Sequence, residues 1–372
     1  MQVDKETVLE LLGAAMAADY ARVRRVGSLL ARRLAEEGDL DGAKTLGALL
    51  RRKGAPLQAA GYAEALPRDA SSRLPLVEEA PWPSTPLLLN EGAGAAVQHF
   101  LEDAQNSALF AENGVAARLG LLLFGPPGTG KSLLAGHVAA RLGRPFYIAR
   151  LDSLISSRLG ETSKNVRGVF DFIPTRQAVL FLDEMDAVAK LRDDRHELGE
   201  LKRVVNTVLQ GLDSLSDDVV VIGATNHPHL LDPAIWRRFP HKIELDLPDE
   251  DVRAAMWRNF LDPGEGSSDV QILARVSAGL SGADIENLSL AARRRALISG
   301  SAVRLAQIVL ALDDTRAGKP RLPDGRELTA EEKRRVALLL DAAGGIPQGE
   351  IARVAGMSRQ MIHRHRKKVE HG

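Results

Sequence analysis

The sequence predicts an α/β fold in which a parallel β-sheet carries helices on both faces, and three observations support this prediction. Five short apolar runs alternate with helical or polar segments, and they read ARLGLLLFG, RPFYIARL, AVLFLDE, DVVVIGATN and HKIELDL. Short apolar runs separated by helices are typical of buried parallel strands. The first run leads directly into a glycine-rich turn and a helix. Helical patterns without strands occupy both ends of the chain, so we expect helical units to flank the sheet.

The composition is that of a globular protein with two or three domains, since the chain has 372 residues, 45% of them hydrophobic. The 49 Lys and Arg residues balance 49 Asp and Glu residues, which argues against a chain that coats nucleic acid or membrane with its whole surface. The absence of cysteine excludes disulfides and thiolate sites. No apolar run approaches a membrane span and no export leader is visible, so we expect a cytoplasmic protein without membrane contact.

The first 55 residues predict a small helical bundle. Apolar residues recur there at helical spacing in three stripes, which are Val8, Leu11, Leu12 and Ala15, then Val23, Val26, Leu30 and Leu34, then Leu46, Leu49 and Leu50. The bundle is either a docking module or a helical appendage without a known partner. Six prolines between residues 56 and 86 then predict an extended linker over residues 56–85.

Further domain boundaries follow from changes of pattern along the chain. We expect the large αβα domain at residues 86–248 and a helical unit at 249–316. A segment rich in Gly, Pro and charge predicts a second linker at 317–328, and residues 329–372 predict a C-terminal helical segment.

The turn after the first predicted strand has the pattern of a phosphate-binding loop. Residues 125–132 read GPPGTGKS and match G-x-x-x-x-G-K-S/T between a strand and a helix. Its glycines let backbone N–H groups face phosphate oxygens at a helix N-terminus, where the partial positive charge favours anions. Lys131 is expected to reach the β- and γ-phosphates and Ser132 to ligate Mg²⁺. The predicted nucleotide-binding residues are Gly125, Pro126, Pro127, Gly128, Thr129, Gly130, Lys131, Ser132 and Leu133.

Polar side chains at the ends of later strands predict the rest of a phosphoryl-transfer site. Asp183, after a buried run, is placed to hold Mg²⁺, and Glu184 to orient the attacking water. Asn226 ends the next strand and suits the same water, although a turn-forming Asn is the alternative. Arg237 and Arg238 precede the last strand, where paired arginines suit an arginine finger that reaches a neighbouring subunit's nucleotide. Without the other motifs, two adjacent arginines would be interpreted as part of a solvent-exposed surface.

The motifs in this order resemble the AAA ATPases, in the branch that includes katanin, spastin and the membrane-bound AAA proteases. They are GPPGTGKS, LFLDEMDAV, IGATNHP, LDPAIWRRF and GLSGADIENL, and the resemblance covers about residues 86–312. It implies a P-loop αβα domain followed by a helical lid at 249–316, ATP with Mg²⁺ as cofactors, a homo-hexameric ring and a protein substrate. It assigns the Walker A and Walker B roles to Lys131, Ser132, Asp183 and Glu184, and the role of the first sensor to Asn226. It also implies that Arg237 and Arg238 are arginine fingers that act on a neighbouring subunit's ATP, and that Gly282 and Ala283 of the lid contact the nucleotide.

The pore loop departs from the family pattern. That loop carries an aromatic, an aliphatic and a glycine in the family, whereas here the matching residues are Arg158, Leu159 and Gly160. Leu159 keeps the aliphatic contact and the aromatic is lost, so remodelling of a polypeptide and work on a DNA-bound complex both stay open.

A separate protease or an adaptor is a further expected partner. The HELGE segment at 196–200 has Glu200 where zinc proteases carry their second histidine, so the chain is not expected to be a metalloprotease by itself. The chain also resembles bacterial stand-alone AAA proteins whose genes often lie beside that of a subtilisin-like protease.

The C-terminal segment predicts a helix-turn-helix. In QGEIARVAGMSRQMIHRHRKK, Ala352 suits a helix crossing, Gly356 a tight turn and Ser358 a helix cap. Residues 351–372 hold six Lys and Arg against one acid, so the neutral total hides a basic tail. The segment is interpreted either as a DNA-binding unit or as a docking helix with a basic face. If it binds DNA, the alternative function of the chain is that of a DNA-binding regulator or mobile-element helper that uses ATP as an assembly switch. The candidate DNA-contacting residues are Ser358, Arg359, Gln360, His363, Arg364, Arg366 and Lys367.

Overall fold

The computed structural model describes residues 66–69, 72–154, 161–175, 177–187, 198–217, 219–262, 268–318, 323 and 326–363, together with residues 26, 27, 29–31, 34 and 42. The predicted N-terminal bundle and the first part of the linker therefore lie almost wholly outside the described residues. Among the described helices, none has the length and apolar character needed to cross a membrane.

Six strands form one sheet in the order β1-β3-β4-β5-β2-β6. Their bounds are β1 Glu78–Ala80, β2 Gly120–Phe124, β3 Phe146–Arg150, β4 Val179–Asp183, β5 Val220–Thr225 and β6 His241–Glu244. Strands β2 to β6 are parallel to one another, so the α/β prediction and its five strands are confirmed. Because β2, β5 and β4 are adjacent, the residues that follow them meet at one edge of the sheet.

The second half of the predicted 56–85 linker packs on the sheet. Strand β1 pairs antiparallel with β3, and Leu76 and Val77 belong to a buried core. The buried carboxylate of Asp69 accepts a 2.6 Å hydrogen bond from Asn165. The prolines that predicted an extended linker are compatible with an edge strand, because a strand at the edge needs no donor on its outer side.

Helices cover both faces of the sheet, each with its own core. Their bounds are α1 Glu91–Gln105, α2 Ser107–Glu112, α3 Lys131–Leu142, α4 Leu151–Leu154, α5 Glu161–Phe172, α6 Leu198–Ser214 and α7 Pro233–Trp236. Helices α1 and α3 pack on one face through side chains such as Phe100 and Leu134. Helices α5 and α6 pack on the other through side chains such as Val169 and Val208.

The remaining helices form a second body beside the sheet. They are α8 Glu250–Leu261, α9 Asp269–Val276, α10 Gly282–Ser299, α11 Leu305–Arg316, α12 Ala330–Ala342 and α13 Gln348–Ala355, and a last helix begins at residue 359. One hydrophobic core runs through all of them, from Trp257 in α8 to Ile362 in the last helix. The C-terminal helices, predicted as a unit of their own, thus pack on the lid helices, because α12 and α13 present an apolar face to α9 and α11.

Candidate active site

The loop between β2 and α3 takes a conformation that only glycine fits at two points. Gly125 has φ 140°, and a Cβ there would lie 2.2 Å from the carbonyl oxygen of Leu245. Gly128 has φ 76°, and a Cβ there would lie 2.5 Å from Ser281 Oγ. The two glycines therefore let the loop approach β6 on one side and the lid on the other.

The side chain of Lys131 lies within the loop that precedes it. Its Nζ donates hydrogen bonds to the carbonyl oxygens of Gly125 at 2.9 Å and Pro126 at 2.7 Å, and the residue is 8% exposed. Burial lowers the pKa of Lys131, while the nearby carboxylates of Asp183 and Asp186 act in the opposite direction. The ammonium is thus held against two backbone carbonyl groups of the loop.

The proposed metal ligands come together across two elements. Ser132 is the second residue of α3 and Asp183 ends β4, and the serine Oγ lies 3.5 Å from Asp183 Oδ2. A hydroxyl and a carboxylate are hard oxygen donors of the kind that Mg²⁺ prefers, so this pair fits the cation that the sequence predicts.

Glu184 has an unusual backbone conformation. Its φ is 54°, in the left-handed region that non-glycine residues rarely adopt, and its N–H donates a 2.9 Å hydrogen bond to Asp183 Oδ1. The side chain is exposed beside the loop. Backbone strain of this kind persists only where the surrounding structure holds it, and such residues cluster at active sites.

The sequence supports a site role for Asp186 less strongly than for Asp183 and Glu184, with a cap of the following helix as the alternative, whereas the structure connects it to the site. The residue is 1% exposed, and its Oδ1 accepts hydrogen bonds from Thr225 Oγ1 at 2.9 Å and the Asn226 N–H at 3.4 Å. Asp186 therefore ties the end of β5, with the predicted sensor Asn226, to the segment after β4. The available signal was the third acid of the Asp183-Glu184-Met185-Asp186 run.

The lid reaches the phosphate loop through the N-terminus of α10. The Ala283 N–H donates a 3.1 Å hydrogen bond to the carbonyl oxygen of Gly128. Ser281 and Asp284 form a capping box that fixes this helix end. Gly282 and Ala283 thus lie against the loop.

A small cleft, open to solvent, lies between the large domain and the lid. Of the residues that line this cleft, the sequence predicted only Thr129 and Gly282 as part of the site. The others were missed because they come from segments far apart in the chain. The lining residues are Leu88, Leu89, Asn90, Ala93, Thr129, Leu245, Asp246, Pro248, Val252, Met256 and Gly282. The Asn90 side chain bridges two backbone groups at the boundary between the two bodies, donating to Leu247 O at 3.1 Å and accepting from the Asp249 N–H at 3.0 Å.

The two predicted finger arginines have different surroundings. Arg238 makes a two-pronged ion pair with Asp213 at 3.1 and 3.2 Å, and Arg118 pairs with the same carboxylate at 3.0 Å. The hydrogen bond from Arg238 holds the pKa of Asp213 below its usual value, and the hydrogen bond from Arg118 acts in the same direction. Arg237 is exposed, and no ion pair joins it to another described residue.

Two predicted sites fall partly or wholly outside the described residues. Arg158, Leu159 and Gly160 of the pore loop lie outside them, as do Arg364, Arg366 and Lys367 of the tail and the first two residues of HELGE. The other tail candidates, Ser358, Arg359, Gln360 and His363, are all exposed. Gly356 ends α13 with φ 62°, and Ser358 Oγ accepts the Met361 N–H at 3.3 Å, so the turn and the cap have the local geometry that the sequence predicts.

The sheet order, the phosphate loop and the acids beside it define a P-loop ATPase domain. Residues 121–247 match the family model described as "ATPase family associated with various cellular activities (AAA)". Residues 121–247 thus form an AAA ATPase domain, of a family that uses ATP with Mg²⁺, and the family resemblance is confirmed for this domain.

Curated relatives agree with this assignment. The chain is 46% identical over 150 residues to an uncharacterized AAA family ATPase of Sinorhizobium fredii, covering 40% of this chain and 44% of the relative. It is 37% identical over 255 residues to the ATP-dependent zinc metalloprotease FtsH 3 of Sphaerobacter thermophilus, covering 66% and 50%. It is 39% identical over 178 residues to a spastin homolog of Caenorhabditis elegans, covering 45% and 34%. The chain spans half the length of these relatives or less.

Proposed function

We propose that this chain hydrolyses ATP at the edge of its sheet, in a ring that remodels a protein or a protein complex. The observation that carries the proposal is the convergence of three strand ends on one point. Lys131 follows β2, the Ser132–Asp183 pair joins α3 to β4, and Asp186 holds Asn226 at the end of β5.

The residues divide the work of phosphoryl transfer. The loop N–H groups and Lys131 bind the phosphates, while Ser132 and Asp183 hold Mg²⁺, which neutralises developing charge when bound. Glu184 orients and deprotonates the attacking water, and Asn226 fixes the position of that water. The cleft between the large domain and the lid takes the nucleoside, because it adjoins the phosphate loop at Thr129 and the lid at Gly282.

The ring and its substrate are inferred from the family. A homo-hexamer lets Arg237 and Arg238 of one subunit reach the nucleotide of the next, and Leu159 contacts polypeptide in the pore. The printed names of relatives include a metalloprotease and a spastin homolog, which supports a protein substrate. The N-terminal residues 1–55 recruit an adaptor or a separate, subtilisin-like protease.

The C-terminal segment tethers the ring to DNA. The support is the turn at Gly356, the cap at Ser358, the exposure of Arg359, Gln360 and His363, and the basic charge of residues 351–372. The exposed face of the helix after Ser358 enters a groove, and the basic residues that follow contact phosphates.

The ATPase assignment is tested with Glu184→Gln. We expect this variant to bind ATP as the wild type does and to lose turnover by about 10²- to 10⁴-fold, since a general base is removed and the phosphate contacts stay. Lys131→Ala is the matched control, expected to lose nucleotide binding itself. Rapid hydrolysis by Glu184→Gln contradicts the assignment.

Unfolding activity separates the motor from the second candidate function, a DNA-binding regulator or mobile-element helper that uses ATP as an assembly switch. Both need DNA binding that weakens steeply with salt and disappears on deletion of residues 344–372. ATP-dependent unfolding of a tagged protein that requires Leu159 supports the motor, whereas ATP-dependent assembly on DNA without unfolding supports the switch.

A further inference from the structure

The lid and the C-terminal helices share a single buried core. Trp257, Leu273 and Ile308 of the lid pack in the same cluster as Val336, Leu340 and Ile362 of the C-terminal segment. Leu273, Ile308, Val336 and Leu340 are all 0% exposed. A core packed to this degree moves as one piece, because separating its halves would expose large apolar side chains to water.

Ion pairs fix the orientation of the C-terminal helices at two further places. Arg335 of α12 pairs with Asp313 and Asp314 at the end of α11. Arg353 of α13 pairs with Asp269, the first residue of α9. These half-exposed pairs add little stability, but two guanidinium contacts on different lid helices restrict rotation of the segment about the lid.

The same lid contacts the nucleotide site. The Ala283 N–H at the start of α10 donates to Gly128 O of the phosphate loop, and Val252, Met256 and Gly282 of the lid line one wall of the nucleoside cleft. A nucleotide in this cleft contacts the large domain and the lid together, so it binds differently when the angle between them changes. A ligand shifts a conformational equilibrium by that difference in affinity.

We propose that residues 329–363 are a rigid extension of the lid, so that the bound nucleotide sets the orientation of the DNA-contacting helix and DNA binding is coupled to the ATPase cycle. This inference rests on the proposed DNA tether. The chain of contacts runs from Gly128 through Ala283 and α10 to α11, then through α12 and α13 to Ile362. Coupling of this kind is reciprocal, so DNA must change nucleotide affinity by the factor by which nucleotide changes DNA affinity.

The mechanical part of the proposal is tested by distances between labels in the full chain. The wild type has no cysteine, so pairs of introduced cysteines can be labelled without background. Leu109→Cys on α2 of the large domain, Leu297→Cys on α10 of the lid and Met361→Cys in the last helix are 53%, 82% and 45% exposed. Labelled chains are diluted with unlabelled chain so that each ring carries one labelled subunit.

The two pairs give opposite expectations. Exchange of ADP for a non-hydrolysable ATP analogue should shift the distance between labels at 109 and 361. The distance between labels at 297 and 361 should stay unchanged, with a narrow distribution. A 297–361 distance that broadens or moves with nucleotide overturns the rigid extension. A 109–361 distance that stays constant overturns the link from nucleotide to tail.

The DNA part is tested by the affinity for a fluorescent duplex at fixed salt with no nucleotide, ADP or the ATP analogue. We expect a change of about 5- to 150-fold between nucleotide states and the same factor in nucleotide affinity when DNA is added. Leu340→Ala, at a buried lid contact, should reduce this factor, whereas Leu338→Ala, on the same helix but 47% exposed, should keep it. Ring assembly alone would raise DNA affinity equally in both variants.

The outcomes of the DNA experiment are distinct. Absence of DNA binding in every nucleotide state overturns the proposed tether and the coupling built on it. Equal affinity in all states, with binding that falls steeply with salt, leaves the tether standing and overturns the coupling alone.

Discussion

Thr225 Oγ1 donates a 2.9 Å hydrogen bond to the carboxylate of Asp186, and each residue is only 1% exposed. The bond joins the ends of two neighbouring strands, β4 and β5, at the edge of the sheet that holds the phosphate loop. The same carboxylate oxygen accepts the Asn226 N–H, and Asp186 attracts the ammonium of Lys131. Asp186 is therefore placed to position the sensor and the loop lysine relative to each other.

Replacement of Asp186 by Asn should slow hydrolysis more than it weakens nucleotide binding. We expect kcat to fall by about 10- to 100-fold, since a displacement of the sensor by about 1 Å costs up to about 10² in rate. Steady-state ATPase assays together with nucleotide binding by fluorescence measure the two effects separately.

Variants of Thr225 provide the controls for this prediction. Thr225→Val removes the donor and keeps the shape, whereas Thr225→Ser keeps the hydroxyl and should retain activity. The double variant Asp186→Asn, Thr225→Val should lose less activity than the two single losses combined, because both substitutions disturb the Thr225–Asp186 bond. Losses that add in full would show that the two residues act independently.

Arg238 is expected to act on the nucleotide of a neighbouring subunit. Arg238→Ala chains and Lys131→Ala chains should each be inactive alone, and a mixture of the two should recover activity. In mixed rings an intact nucleotide site faces an intact arginine. Mixing assays over a range of ratios measure this recovery, and a mixture without it would place the action of Arg238 within its own subunit.

The partner of Arg238 should influence turnover without affecting nucleotide binding. Asp213→Asn weakens the ion pair that orients the Arg238 guanidinium, so we expect a several-fold lower kcat and an unchanged nucleotide affinity. Asp217→Asn is the control, because Asp217 contacts Arg118 at 4.0 Å and lies in the same exposed region. Equal effects of the two substitutions would point to a general change in surface charge.

The Asn90 side chain should control how firmly the cleft holds its ligand. It bridges Leu247 O and the Asp249 N–H, so Asn90→Ala removes two hydrogen bonds where the lid begins. We expect KM for ATP to rise several-fold while kcat changes little. Asn106→Ala is the control, because its side chain donates only to Glu102 O in its own helix region, and its KM should match the wild type.

Stability should fall on acidification through His241. Burial lowers the pKa of His241, with the carboxylate of Asp103 at 3.4 Å acting in the opposite direction. The unfolded chain therefore binds a proton at higher pH than the folded chain, so this contribution to stability is present above about pH 6.5 and is lost as the pH falls below it. Melting temperatures measured from pH 7.5 to 5 should fall less steeply in His241→Gln.

Patterns that lie within a short stretch of chain were predictable. The five parallel strands, the loop at 125–132 and the acids after β4 follow from apolar runs and the residues next to them, and the structure contains all of them. Strand β1 was not predicted, because three residues between prolines carry too little pattern to separate a strand from an extended linker.

The sequence by itself determined the α/β class, the phosphate loop and the family, since these depend on residues a few positions apart whose spacing fixes their geometry. Only the tertiary structure decided which distant groups meet. Thr225 reaches Asp186 across 39 residues and Asn90 reaches Leu247 across 157. It also decided that the C-terminal helices share the core of the lid. Such contacts depend on strand order and on the way apolar helix faces pack, and a helix's apolar stripe shows that it must pack without showing against which partner.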